Sequence, residues 1–126
     1  MLITALTLAA LAAALHVFIF ALESLLWTTP KARGVFGMSA DEAQATREMA
    51  FNQGFYNLFL AIVTVIGIVL TVSGNAAAGI ALVFAGAGSM AAAALVLFAR
   101  SAANRPAAIK QGTLPLLAVI ALLFAL

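Results

Sequence analysis

The 126-residue sequence has no cysteine, one histidine, one tryptophan and one tyrosine. Without cysteine there are no disulfides, thiolate metal sites or thiol catalysis. A single histidine excludes a multi-histidine metal centre. Charge is scarce too: four acidic and six basic side chains make up 8% of the chain, against about a quarter in an ordinary soluble domain. The alternating segments of about ten residues that build a membrane β-barrel are also missing. What is present is apolar: 66% of the residues are hydrophobic, which excludes intrinsic disorder, a property of chains poor in such residues. An all-α integral membrane protein is expected, with no metal and no cofactor.

A helix crosses the hydrocarbon core with about 20 apolar residues. The sequence offers four such runs, at about residues 2–26, 50–72, 76–99 and 106–126. They predict one domain over residues 1–126, a four-transmembrane-helix bundle. No basic side chain precedes the first run, which is also longer than the apolar region of a secretory signal, so it reads as a span. Lys31, Arg33, Asp41, Glu42, Arg47 and Glu48 lie between the first two runs or at their ends, and Arg100, Arg105 and Lys110 between the last two. The turn Ser73-Gly74-Asn75 carries no charge. With four spans the two charged connections share a side. The positive-inside rule places that side in the cytoplasm, with both termini outside. Topology alone accounts for the basic residues, so no nucleic-acid binding is expected, and contact with anionic lipid head groups is.

Local signals refine the boundaries. Thr28 to Gly34 form a basic exit from the first span, and Val35, Phe36 and Met38 suit the membrane interface. Ser39 with Glu42 three residues on matches a capping box, so the second helix is predicted to start near Ala40 and to reach roughly 50 Å. Pro106 fits a first helical turn. Pro115 cannot donate to the carbonyl of Gln111, which predicts a kink in the fourth span. The third span has no ionisable residue, and Gly79, Gly86 and Ala93 repeat every seven residues on one face. Such a face suits close helix packing, either within the chain or in a seam with a second copy or a partner membrane subunit.

The polar residues inside the spans are the candidate site. His16, Phe20, Glu23 and Trp27 form one helical stripe, and Asn52, Gln53, Tyr56 and Asn57 share an arc of about 140°. Unpaired amides in hydrocarbon cost several kcal/mol, so both stripes are expected to face the bundle interior. His16 and Glu23 are about 10 Å apart along the axis. By depth, His16 is expected to meet Tyr56 or Asn57, and Glu23 to meet Asn52 or Gln53. Gln111 and Lys110 would approach from the fourth span. Trp27 would stand at the rim of a cytoplasm-facing polar pocket, or act as an ordinary interfacial anchor.

The stripe of His16, Glu23 and Trp27 and the run Asn52-Gln53-Gly54-Phe55-Tyr56-Asn57 resemble a family of small bacterial four-helix membrane proteins known as a domain of unknown function. The likeness continues through Lys110-Gln111 and Pro115 and covers essentially the whole chain. It implies a single-domain bacterial inner-membrane protein and carries no reaction with it. The residues themselves leave three roles open. One is binding of a small amphiphilic or lipidic ligand or a cation in the pocket. Another is acid–base chemistry on a lipid-soluble substrate by Glu23 and His16. The third is an accessory subunit whose polar residues are interhelical glue.

Overall fold

A computed structural model describes the whole chain, Met1 to Leu126. Helix α1 (Leu2–Phe20) runs into a wide π turn (Ala21–Leu25). A short helix α2 (Pro30–Phe36) follows, then α3 (Ala40–Val72) and α4 (Ala76–Arg100). A 3-10 turn (Ala102–Asn104) leads into α5 (Arg105–Leu123). There are no strands, and four of the helices are long and apolar enough to cross a membrane. The first span therefore ends one residue earlier than expected. The fourth, counted with its 3-10 turn, starts at Ala102, four residues earlier, and ends at Leu123.

Successive long helices pack against each other, and α5 closes the ring against α1, leaving α1 and α4 on a diagonal. The order is up-down-up-down. Both charged connections lie at one end, and the short turn with Gly74 at φ 99° lies at the other. The chain is a four-span membrane bundle whose ends differ sharply in charge.

The interior is made largely of small side chains, with Leu22, Met90 and Leu122 among the large exceptions. Ala5, Ala9, Ala12, Ala13, Ala61 and Ala118 are buried, while Ile3, Leu11, Phe59, Val69, Leu95 and Leu123 stand on the outside. This is the distribution lipid imposes. Large apolar groups gain nothing by leaving hydrocarbon, whereas small ones let backbones approach and make dispersion contacts. The α3–α4 seam shows it most clearly. Gly67, Gly79 and Gly86 are buried there against Val83, Thr71 and Thr64. Each of the two threonine hydroxyls donates back to its own helix at 2.8 Å, Thr64 to Leu60 and Thr71 to Gly67. Gly79 and Gly86 are thus used within the chain. Ala93 is exposed, because a seven-residue step drifts about 20° per heptad on a straight helix, and Met90 and Ala94 take the buried positions instead.

The start of α3 is as its sequence signals. Ser39 Oγ accepts from the Glu42 amide at 3.1 Å, and the Glu42 carboxylate accepts from the Ser39 amide at 2.7 Å. Pro106 sits in the first turn of α5, and Pro115 lies buried inside that helix. Helix α2 was not expected as a separate element. Its capping follows the usual rules: Thr29 Oγ1 accepts from the Ala32 amide at 3.4 Å, Pro30 opens the helix, and Gly37 ends it at φ 65°.

Candidate functional site: a buried carboxyl on a wide turn

The π turn exists because of a contact across helices. Ser24 Oγ donates to the carbonyl of Phe51 on α3 at 2.8 Å. That approach is possible only because residue 54 is glycine: a Cβ there would run into Ser24 Oγ and sit 3.1 Å from Glu23 Cβ. The turn holds Glu23 inward, 4% exposed, and leaves Leu25 and Leu26 outside. The π turn ends the first span, a place where helices commonly widen into such turns.

Asn57 Nδ2 donates to Glu23 Oε2 at 3.2 Å. It is the one hydrogen bond this carboxyl group receives from the chain, although an ionised carboxylate offers about four acceptor positions. The pairing expected from depth, with Asn52 or Gln53, is not the one formed. In an antiparallel pair each side chain leans toward its own N-terminus. Glu23 therefore leans into the membrane while Asn57 leans outward to meet it, closing a gap of about one turn.

His16 is buried, 2% exposed, and its partner is also not the expected one. Nδ1 lies 2.9 Å from the Ala12 carbonyl one turn earlier on α1. That contact requires a proton on Nδ1, so in the neutral ring Nε2 keeps its lone pair. Neither Tyr56 nor Asn57 bonds to it. His16 is not among the residues lining the crevice at Glu23, so the two ionisable groups do not share one cavity there.

Asn52, Gln53 and Tyr56 are exposed, Tyr56 by 69%. They occupy the outer face of α3 near the charged end, where water and lipid head groups satisfy amides and phenols. Trp27 lines the crevice beside Glu23. Its Nε1 donates to Thr46 Oγ1 at 3.1 Å, and its ring lies 5.0 Å from that of Phe36. It thereby ties the charged-end turns of α3 to α2.

Two openings result. A crevice of about 140 Å³ lies beside Glu23, between the end of α1 and α3, with Ser24, Trp27, Thr28, Arg47 and Phe51 in its walls. On the other side of α1 a groove of about 300 Å³ runs between α1, α2 and α5. Leu15, Phe18, Ile19 and Leu22 form its floor, Val35 and Phe36 one wall, and Asn104, Lys110 and Gln111 the polar edge. Gln111 therefore belongs to the groove and not to the Glu23 crevice. The groove was missed in the sequence because α2, which supplies one wall, was not read as a helix. No three acidic or histidine side chains come together as a possible metal-ligand set.

No curated protein and no solved structure matches the chain. A family model does, over residues 10–123, and its description is "Protein of unknown function (DUF1304)". The match takes in most of the first span, the other three spans, the π turn, Asn57 and the polar edge of the groove, and the chain belongs to this family.

Proposed function

We propose that this multi-pass membrane protein binds an amphiphile with an anionic head and an acyl chain in the groove between α1, α2 and α5. The membrane would be a bacterial inner membrane with the charged end in the cytoplasm. The carrying observation is the composition of the groove. Its floor is an apolar, partly exposed face of α1 and the π turn, while Lys110, Gln111 and Asn104 border it at the charged end. A second cation stands close by, since the Lys31 ammonium lies 5.6 Å from the centroid of the Phe18 ring, part of the floor. Arg105 is engaged elsewhere, donating to the Phe98 carbonyl at 3.1 Å and stacking on its ring. Two lysines above an apolar slot complement a negative head with a hydrocarbon tail. Each basic residue near an anionic membrane surface contributes about 1 kcal/mol.

Native mass spectrometry tests this on protein taken from vesicles of phosphatidylcholine and phosphatidylglycerol with identical acyl chains. The wild type retains phosphatidylglycerol in preference. Lys110→Glu lowers that retention about tenfold, equivalent to about 1.4 kcal/mol. Ala107→Trp, which fills the groove without changing charge, lowers retention of both lipids. Equal retention of the two lipids by the wild type would overturn the proposal.

A further inference from the structure

We propose that the crevice at Glu23 is a second, independent site, which takes the primary ammonium of a zwitterionic phospholipid. Arg47 meets the phosphate of that lipid, and its acyl chain lies along Phe51, Phe55 and Phe59 on the outer face of α3.

Counting donors and acceptors gives the sign of the ligand. Three donors near the crevice are already used, Trp27 Nε1 on Thr46, Ser24 Oγ on the Phe51 carbonyl, and Asn57 Nδ2 on Glu23, while the Arg47 guanidinium and the Thr28 hydroxyl in its walls stay free. Acceptors remain. Glu23 keeps acceptor capacity that nothing in the chain fills. Beyond the turn, Leu26 bonds back to the Ala21 carbonyl and Thr29 to that of Leu26. No later backbone amide returns to the carbonyls of Leu22 to Leu25. This is the C-terminal end of a long helix, where the peptide dipoles add to a partial negative charge. A buried carboxyl at the crevice and free carbonyls at the same helix end favour a positively charged donor.

The walls point to an organic ammonium in preference to a bare ion. Trp27 and Phe51 give aromatic surface, which attracts ammonium groups, and about 140 Å³ is roomier than an unhydrated ion needs. A primary ammonium can donate hydrogen bonds to Glu23, and a quaternary one cannot. Arg47, exposed at the same crevice, places a positive charge where the phosphate next to the ammonium would lie. Phe51 is also a wall of a shallow trench with Asn52, Phe55, Tyr56 and Phe59. The rings of residues 51 and 55 are 5.1 Å apart and those of 55 and 59 are 6.2 Å apart. They form an apolar track that leads from the head-group level toward the membrane centre.

The test uses the wild-type chain in phosphatidylcholine vesicles containing either phosphatidylethanolamine or phosphatidylglycerol. A hydrophobic carbodiimide labels carboxyl groups, and peptide mass spectrometry reads each site. Phosphatidylethanolamine lowers labelling of Glu23 at least fivefold, while phosphatidylglycerol leaves it unchanged. Exposed Asp41, Glu42 and Glu48 serve as internal references. In native mass spectra Glu23→Gln loses retained phosphatidylethanolamine at least tenfold and Arg47→Gln about threefold. Retained phosphatidylglycerol, read in the same spectra, separates loss of this site from loss of the α1–α5 groove. Should Glu23→Gln fail to fold, the wild-type protection measurement still decides. Absence of protection, equal protection by phosphatidylethanolamine and phosphatidylglycerol, or full protection by sodium or potassium chloride alone would overturn the proposal.

Discussion

The closest packing around Glu23 depends on a residue with no side chain. Gly54 lets the π turn lie against α3, and Ser24 fills the space a Cβ would need. Gly54→Ala therefore cannot be absorbed by the end of a flexible chain, because the Ser24 backbone nitrogen is only 3.0 Å from the added carbon. The helices must separate there, with loss of the Ser24–Phe51 and Glu23–Asn57 bonds. A destabilisation of about 1–3 kcal/mol is expected, the usual cost of overpacking, read as a lower unfolding midpoint in detergent. Gly88→Ala is the comparison: nothing lies within 4 Å of its added Cβ, and on a helix the change is neutral or slightly stabilising. Equal midpoints for the two variants would mean that the π turn is not held by Gly54.

At the scale of the element, the face that α3 turns inward follows side-chain size and not polarity. Ala43, Ala50, Gly54, Ala61, Thr64 and Thr71 are buried, and half-buried Asn57 falls on the same stripe. The steps are of three, four and seven residues, the repeat of a close helix seam. Polarity suggested a broader inward arc that included Asn52, Gln53 and Tyr56, and those three are exposed. The capping box at Ser39 and the opening of α5 by Pro106 were legible because their signals are local. Helix α2 carried local signals as well, in Thr29-Pro30 and Gly37, but it is too short to show a periodic apolar face. The π turn was not legible, since its cause lies 27 residues away in the bond from Ser24 to Phe51. Burial by small residues also predicts a contrast along α4. Gly86→Leu would drive a side chain into Thr64 and the Leu60 carbonyl, whereas Ala93→Leu adds an apolar group to an exposed position. The first is expected to abolish folded protein in size-exclusion chromatography and the second to leave the elution profile unchanged. A shift of the Ala93→Leu profile to a smaller species would instead make that face an intermolecular seam.

For the whole molecule, every charged side chain lies toward one end. The groove with Lys110, the crevice with Glu23 and Arg47, the indole of Trp27 and the capped start of α3 all lie there. The opposite end offers only the uncharged turn at Ser73, Gly74 and Asn75. An assembly this asymmetric has one favourable orientation, because basic connections stay on the cytoplasmic side and the anionic leaflet there attracts them. The native chain has no cysteine, so each introduced thiol is unique. Gln44 and Asn75 are both exposed and lie at opposite ends of α3. With an impermeant maleimide added to intact cells, Asn75→Cys is expected to label at once. Gln44→Cys should label only after the membrane is permeabilised. Labelling of Gln44→Cys in intact cells with protection of Asn75→Cys would invert the bundle and put both lipid sites on the outer leaflet. Labelling of both from outside would mean that α3 does not cross the membrane at all, and the four-span arrangement would fall with it.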